Sequence, residues 1–287
     1  MEISGVSIVY IILYLWYNIN MGFFSSKKNR VLLSELVKTD FKLRYQGSVL
    51  GYLWALIKPL MMFAILYVVF CKILRWGGDI PHYPVYLLVG TVFWNFFTEC
   101  TGQGIHAIEV RGDLIRKISF PKYIVVVSAT STAVINVLIN ICVVIIFALI
   151  NGVTPTWSWL LVLPSLVELY VLALGISLLL GSINVKYRDI GSIWEVITQA
   201  LFYAVPIIYP VSMITAASPL AAKILLINPI AQVIQDVRHN LITTAAETTW
   251  GLSGMIWGFV AIAIVIVVFG ISVLYFRKKA KYFAEEV

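Results

Sequence analysis

Long apolar runs alternate with short, mostly basic breaks along most of the 287-residue chain. An α-helix needs about 20 apolar residues to cross about 30 Å of hydrocarbon. Six runs approach or exceed that length, at about 50–74, 83–104, 124–150, 159–183, 192–213 and 251–276. They predict an all-α polytopic membrane protein with six transmembrane helices. An earlier stretch at 3–17 is too short to cross unless it continues through Asn18 and Asn20. It lacks the basic start and small-residue cleavage site of a signal peptide. This extension, 1–28, reads either as a peripheral extra helix or as the product of a start placed upstream of Met21. Residues 29–287 form the transmembrane domain.

The breaks carry structure of their own. Within 29–45, Leu32, Leu33, Leu36, Val37, Phe41 and Leu43 share about half of a helix, with Glu35, Lys38 and Lys42 opposite. That pattern predicts an amphipathic helix lying on the inner membrane surface. Asp40 and Arg44 interrupt the stripe; they read either as residues that touch a partner or, being four apart, as a surface ion pair with each other. Lys58 and Pro59 interrupt the first span; the proline removes a backbone donor, and the lysine either snorkels or lines a wet path. Leu114, Ile115 and Ile118 predict a short helix over 111–119 that ends before Pro121. Pro206 and Pro210 cannot both sit in an unbroken helix, so the fifth span should break and partly re-enter. Asn228 before Pro229 predicts a capped helix with the stripe Ile230, Val233, Ile234, Val237 and Leu241. Short re-entrant or outer-surface helices are therefore expected between spans 5 and 6.

Composition narrows the function. With 61% hydrophobic and 12% charged residues and a mean hydropathy of +0.93, the chain is not a soluble globule. A net charge of +7 would suggest nucleic acid in a soluble domain. Here sixteen of the 21 Lys and Arg residues fall before span 1, between spans 2 and 3, between 4 and 5, and after 6. That bias marks the cytoplasmic side and puts both termini of the core there, in a multi-pass protein of the cytoplasmic membrane with no nucleic-acid partner. Cys71, Cys100 and Cys142 lie in or beside apolar runs and read as small packing residues. His82, His106 and His239 have no second ligand at helical spacing, so no metal site is expected.

The chain has no phosphate-binding glycine loop of the G-x-x-x-x-G-K-[ST] type, and no loop long enough for a nucleotide-binding domain. No nucleophile, base or paired-carboxylate set appears, so the chain is not expected to be an enzyme. Glu168, isolated in span 4, is the chain's best candidate for proton coupling, but one carboxylate makes no relay, and it is expected to bond within the bundle or to face a conduit. Small residues spaced by four, Gly47/Gly51, Ala173/Ser177/Gly181 and Gly254/Gly258, permit close helix approach. Aromatic residues make up 14% of the chain. Trp16, Trp76, Trp157, Trp159 and Trp250 read as interface markers. Tyr52, Trp54, Phe63, Tyr67 and Phe70 in span 1, Phe93, Trp94, Phe96 and Phe97 in span 2, and Phe202, Tyr203 and Tyr209 in span 5 either pack against lipid or offer flat faces on which sugar rings can stack.

Five stretches carry a likeness: DFKLRYQGSVLGYLW followed by KPL, LIRKISFPKY, NVKYRDI, VPIIYPV and NPIAQVIQDVRHNL. In this order and spacing, over about 29–280, the chain resembles the ABC-2 type export permeases, most closely those of polysaccharides and teichoic acids. It departs from them in its hydrophobic extension and in Lys58, where asparagine is more usual. The resemblance implies a homodimer of six-span subunits docked on two copies of a separate ATPase, which would bind ATP and magnesium; this chain would hold no cofactor. It assigns Arg111, Gly112, Asp113, Leu114, Ile115, Arg116 and Lys117 to a helix that couples to the ATPase. It places Lys42, Arg44, Tyr187, Arg188 and Asp189 near the cytoplasmic gate. There Lys42, Arg44, Arg116 and Lys117 would attract a pyrophosphate or simply mark the inner surface.

The implied cargo is a polyprenyl-pyrophosphate-linked polysaccharide, rhamnose-rich or a teichoic acid. It would pass Tyr52, Trp54, Lys58, Phe63, Tyr67, Phe93, Trp94, Phe97, Phe202, Tyr203 and Tyr209. Two alternatives are a drug or lipid exporter of the same family and a flippase or channel that needs no ATPase.

Overall fold

The computed structural model describes residues 27–74 and 80–287; the extension through residue 26, and Arg75 and Trp76, lie outside these. The described residues are helical and contain no strand. In chain order the helices are α1 (Lys27–Tyr45), α2 (Trp54–Leu66, continued by a π turn at Tyr67–Ile73), α3 (Tyr83–Val110), α4 (Gly112–Lys117), α5 (Tyr123–Ile150), α6 (Val162–Asn184) and α7 (Ile190–Ala204). They are followed by α8 (Val211–Ala217), α9 (Pro219–Leu225), α10 (Pro229–Leu241), α11 (Thr249–Ser253), α12 (Met255–Lys279) and α13 (Phe283–Glu286).

Four segments are long and apolar enough to cross a membrane: Gly51–Ile73, Tyr123–Ile150, Trp157–Asn184 and Met255–Lys279. A fifth is added if α9 and α10, bent by 101° from each other, count as one broken span. Of the six expected spans, the second and fifth fall short. Helix α3 is long enough at 28 residues but carries Asn95, Thr98, Glu99, Thr101, Gln103 and His106. It tolerates them because it is the hub of the bundle, packed by α2, α5, α6, α7 and α10 rather than by lipid. Helix α7 has 15 residues, about 22 Å, and stops where the chain turns extended at Val205 (ψ 141°) just before Pro206.

Small residues set the closest contact. A side chain at Gly181 would come 3.0 Å from the Gly104 carbonyl, so α6 lies against α3 backbone to backbone. The Ala173/Ser177/Gly181 stripe thus serves packing within one subunit, with Ser177 Oγ donating to the Ala173 carbonyl at 2.7 Å. Pro59 lies inside α2 without orphaning its neighbour: the Ala55 carbonyl accepts from Asn140 Nδ2 on α5 at 3.1 Å. In the loop from α1 to α2, Gly47 and Gly51 adopt φ of +79° and +50°, conformations that other residues resist. Trp54 Nε1 ties this loop to Ser48 Oγ at 3.0 Å. That gives the G-S-x-L-G-x-L-W pattern a local physical reason.

Candidate functional site

At one end of the bundle three sequence-distant motifs meet. Helix α4 buries Gly112 and Ile115 and turns Asp113, Arg116 and Lys117 outward, with Arg111 and Leu114 half-buried. Lys122 Nζ caps it by donating to the Ile115 carbonyl at 2.9 Å, and burial holds that amine below its usual range. The hydrogen bond from Arg116 to Asp113, 2.7 Å long, together with the Arg116 and Lys117 charges, lowers the Asp113 pKa, so this exposed helix displays both signs of charge. The turn after α6 exposes Tyr187, Arg188 and Asp189. Arg188 faces Asp113 and Arg116 across a cleft of about 210 Å³ that Glu109, Glu286 and Val287 also line. Asn184 braces the turn, accepting from the Gly191 amide at 3.3 Å. The chain's last residues close the cleft, since Arg116 donates to the Val287 carbonyl at 3.2 Å. Phe283, fully buried, packs edge-on against Phe276 with ring centres 5.3 Å apart.

Beside this end a groove carrying several charged side chains runs between α1, α2, α3 and α5. It comprises two clefts, of about 450 Å³ and 420 Å³, both lined by Arg44. Of the two readings of Asp40 and Arg44, the mutual ion pair does not form. Asp40 pairs with Arg111, and Arg44 with Glu99 on α3. These long-range partners are partly buried, so their attraction is less screened than that of neighbours on a wet helix face. One oxygen of Glu99 also accepts from Gln103 Nε2 at 3.0 Å and Asn136 Nδ2 at 2.6 Å. Lys58 lines the second cleft and stands 5.8 Å from the Trp54 ring centre; Lys42 remains exposed.

The aromatic residues divide. Phe63, Phe93, Trp94 and Phe97 are buried within the subunit, where their faces meet other side chains. Trp94 packs edge-on to Phe202 at 5.9 Å, and Phe97 lies 6.2 Å from Trp194. Tyr52 stacks on Phe41 at 5.1 Å. Tyr203 is 71% exposed, whereas the Tyr209 hydroxyl donates to the Tyr203 carbonyl at 3.1 Å, at the end of α7. Tyr67 is half-buried. Two flanks stay open: that of α2, with Met61, Ile65 and Val68, and that of α7, with Ile193 and Val196.

Sequence reasoning assigned no role to Arg238. It is fully buried and binds the proline-broken segment. Its Nη1 donates to the Pro206 carbonyl at 2.5 Å and to Gln235 Oε1 at 2.9 Å. Its Nη2 donates to the Ile207 carbonyl at 2.6 Å, and its Nε to the Tyr86 carbonyl at 3.0 Å. The signal was present: VPIIYPV breaks a helix and frees carbonyls that need donors, and one arginine sits on the apolar-striped helix α10 that follows it. As expected, Asn228 caps α10, accepting from the Ile230 amide at 3.0 Å. That helix is largely buried in the bundle rather than lying over its surface. Among the described residues no group of three or more His, Cys, Asp or Glu side chains is placed to hold a metal.

Residues 31–242 match the profile of a family described as ABC-2 type transporter. The chain is 30% identical to the O-antigen export system permease protein RfbA of Myxococcus xanthus over 71% of this chain and 78% of that protein. It is 28% identical to RfbA of Klebsiella pneumoniae over 72% and 78%. It is 22% identical to the polysialic acid transport protein KpsM of Escherichia coli over 73% and 81%.

Proposed function

Because the chain belongs to the ABC-2 type transporter family, we propose that it is the membrane permease subunit of an ATP-driven exporter of a cell-surface polysaccharide. The relatives are named for O-antigen and polysialic acid transport, which supports a glycan cargo. A polyprenyl-pyrophosphate anchor on that glycan would be held in the groove by drawing Arg44 and Arg111 from their partners Glu99 and Asp40, beside Lys58, since pyrophosphate needs several cations at once. Whether the glycan is rhamnose-rich or a teichoic acid turns on contacts with the sugars themselves.

The single observation that carries the mechanism is the meeting of α4, with Asp113, Arg116 and Lys117 outward, and the Arg188 turn at one end of the bundle. A short, charged, well-braced helix presented there suits docking by a separate ATPase, which would bind ATP and magnesium in two copies against two permeases. That end is then cytoplasmic, in keeping with the Lys and Arg bias, and both core termini share it. Spans are assigned to α2, α3, α5, α6, α7 and α12, with the 205–210 segment completing the short α7. A second copy would cover the open flanks of α2 and α7, leaving Tyr52 and Tyr203 beside a path between subunits. Nucleotide turnover would rock α4 and open that path.

The test is reconstitution in vesicles with and without a candidate ABC ATPase subunit. Glycan movement that needs the ATPase, and fails when 111–119 is deleted, supports the reading. Movement without any ATPase would favour a passive flippase, and hydrolysis by the chain alone would overturn it. Transport of a lipid or drug in place of the glycan would leave the family and replace the cargo.

A further inference from the structure

At the end of the bundle away from α4, two buried carboxylates stand on helices packed against each other, and among the described residues no cation is bonded to either. Glu168 on α6 and Asp236 on α10 lie within electrostatic reach of one another. Asp236 Oδ2 accepts from Trp250 Nε1 at 3.1 Å. Its other oxygen, and Glu168 Oε1, are sealed from solvent and have no donor. Gln232, one turn before Asp236 and fully buried, aims its amide at the Asp236 carboxylate without a formed hydrogen bond.

The neighbouring charges are committed elsewhere. Arg238 spends its donors on the carbonyls of Tyr86, Pro206 and Ile207 and on Gln235. His239 faces Asp236 from the same helix, but its Nδ1 is engaged by the Ala246 carbonyl at 3.0 Å. Glu247 accepts from Thr215 at 2.6 Å, and the Tyr170 hydroxyl meets Thr130 at 3.2 Å. Tyr83, on α3, donates to the Ile208 carbonyl. Helix α12, packed against α6 and α10, has no charged residue before Arg277.

We propose that Glu168 and Asp236 together bind one proton, making a proton-binding site between α6 and α10. The proton comes from water and no electron moves. One carboxyl becomes a donor, the other stays an acceptor, and two sealed like charges become one shared charge. That supplies a donor where the structure has orphaned acceptors. A proton suits the site better than a metal ion, which would find only the oxygens of Glu168, Asp236 and Gln232. Since α10 turns 101° from α9, the bound proton helps hold α10 on α6, and losing it loosens that end of the bundle.

The experiment is infrared spectroscopy on the purified full chain, wild type and the E168Q/D236N variant, alongside thermal unfolding from mildly acidic to mildly alkaline pH. The wild type should show the carbonyl stretch of a protonated carboxylic acid at neutral pH, and the variant should lose it. A proton held only in the folded state stabilises below the pH at which it leaves. The wild-type unfolding temperature should therefore drop at alkaline pH by more than the variant's. Absence of the band in the wild type, or the same pH response in both, overturns the proposal. If the variant does not fold, the wild-type band and its loss on alkaline titration decide. Stabilisation of the wild type by sodium or potassium with no protonated band would assign the site to a cation and also overturn it.

Discussion

Asn140, on α5, donates to the Ala55 carbonyl at 3.1 Å, the group that Pro59 leaves without its helical partner. A helix flaw in one segment is thereby mended by a side chain 85 positions away. Asn140→Leu should cost about 1–3 kcal/mol, the usual loss for a buried carbonyl stranded without a donor. Pro59→Ala restores the backbone N–H, so the same Asn140 change in that background should cost clearly less. Thermal unfolding of the four proteins in one detergent completes the double-mutant cycle; equal losses in both backgrounds would refute the coupling.

Arg44 and Glu99 join the amphipathic helix to the hub. Their side chains are 34% and 22% exposed, between the exposed pairs worth up to about 1 kcal/mol and the buried ones that cost about 3–5 kcal/mol to break. Glu99→Gln should therefore lower stability by about 1–3 kcal/mol. Exchanging the two charges, Arg44→Glu with Glu99→Arg, should recover part of what either change loses alone. Unfolding in detergent reads the stability, and cross-linking of α1 to α3 reads whether the helix has detached.

Gly90 is set by Arg238. A Cβ at Gly90 would meet the Arg238 guanidinium and stand 3.0 Å from the Ile207 carbonyl. Gly90→Ala should destabilise by about 1–3 kcal/mol through overpacking. Arg238→Leu should cost about 3–5 kcal/mol, because the carbonyls of Tyr86, Pro206 and Ile207 lose their donors. Arg238→Lys should not rescue, since one ammonium cannot reach donors arranged as a fork. Yield and unfolding temperature of the purified variants check both.

Charges at the α4 end should matter for docking and little for folding. Lys117 is exposed, and reversing it with Lys117→Glu should leave membrane insertion and unfolding temperature unchanged. Co-purification with the ATPase subunit should fall by about tenfold, about 1.4 kcal/mol of binding. Arg188→Glu should likewise abolish export while insertion persists. Normal surface glycan in the Arg188 variant would remove that residue from the mechanism.

Phe283 pins the last helix. It is fully buried against Phe276 beside α4, yet α13 has only four residues and cannot hold itself together. Phe283→Ala should release α13 locally, seen as faster amide exchange in α13 and α4 with little change in global unfolding temperature.

The sequence alone determined the helices, because their information is local. Apolar runs of membrane length located the spans at 50–74, 124–150, 159–183 and 251–276 to within a few residues, and four helical segments answer to them. Pro206 marked the end of α7, and Asn228 with Pro229 marked the start of α10. The charged ridge of α4 was legible from Leu114, Ile115 and Ile118.

What only the tertiary structure decided is where polar groups spend their bonds. Asp40 and Arg44 are one turn apart, and the short-range rule pairs them, but α3 brings Arg111 and Glu99 to them with less solvent between. Arg238 is one basic residue on a striped helix until the carbonyls of Pro206 and Ile207 are folded onto it. Phe93, Trp94 and Phe97 have the composition of an exposed aromatic face and the position of a core, because α3 is wrapped by its neighbours. Hydrophobic period depends on residues three and four apart, which the chain states outright. The partner of a buried charge or a ring depends on helices dozens of residues away, and only their packing brings them within reach.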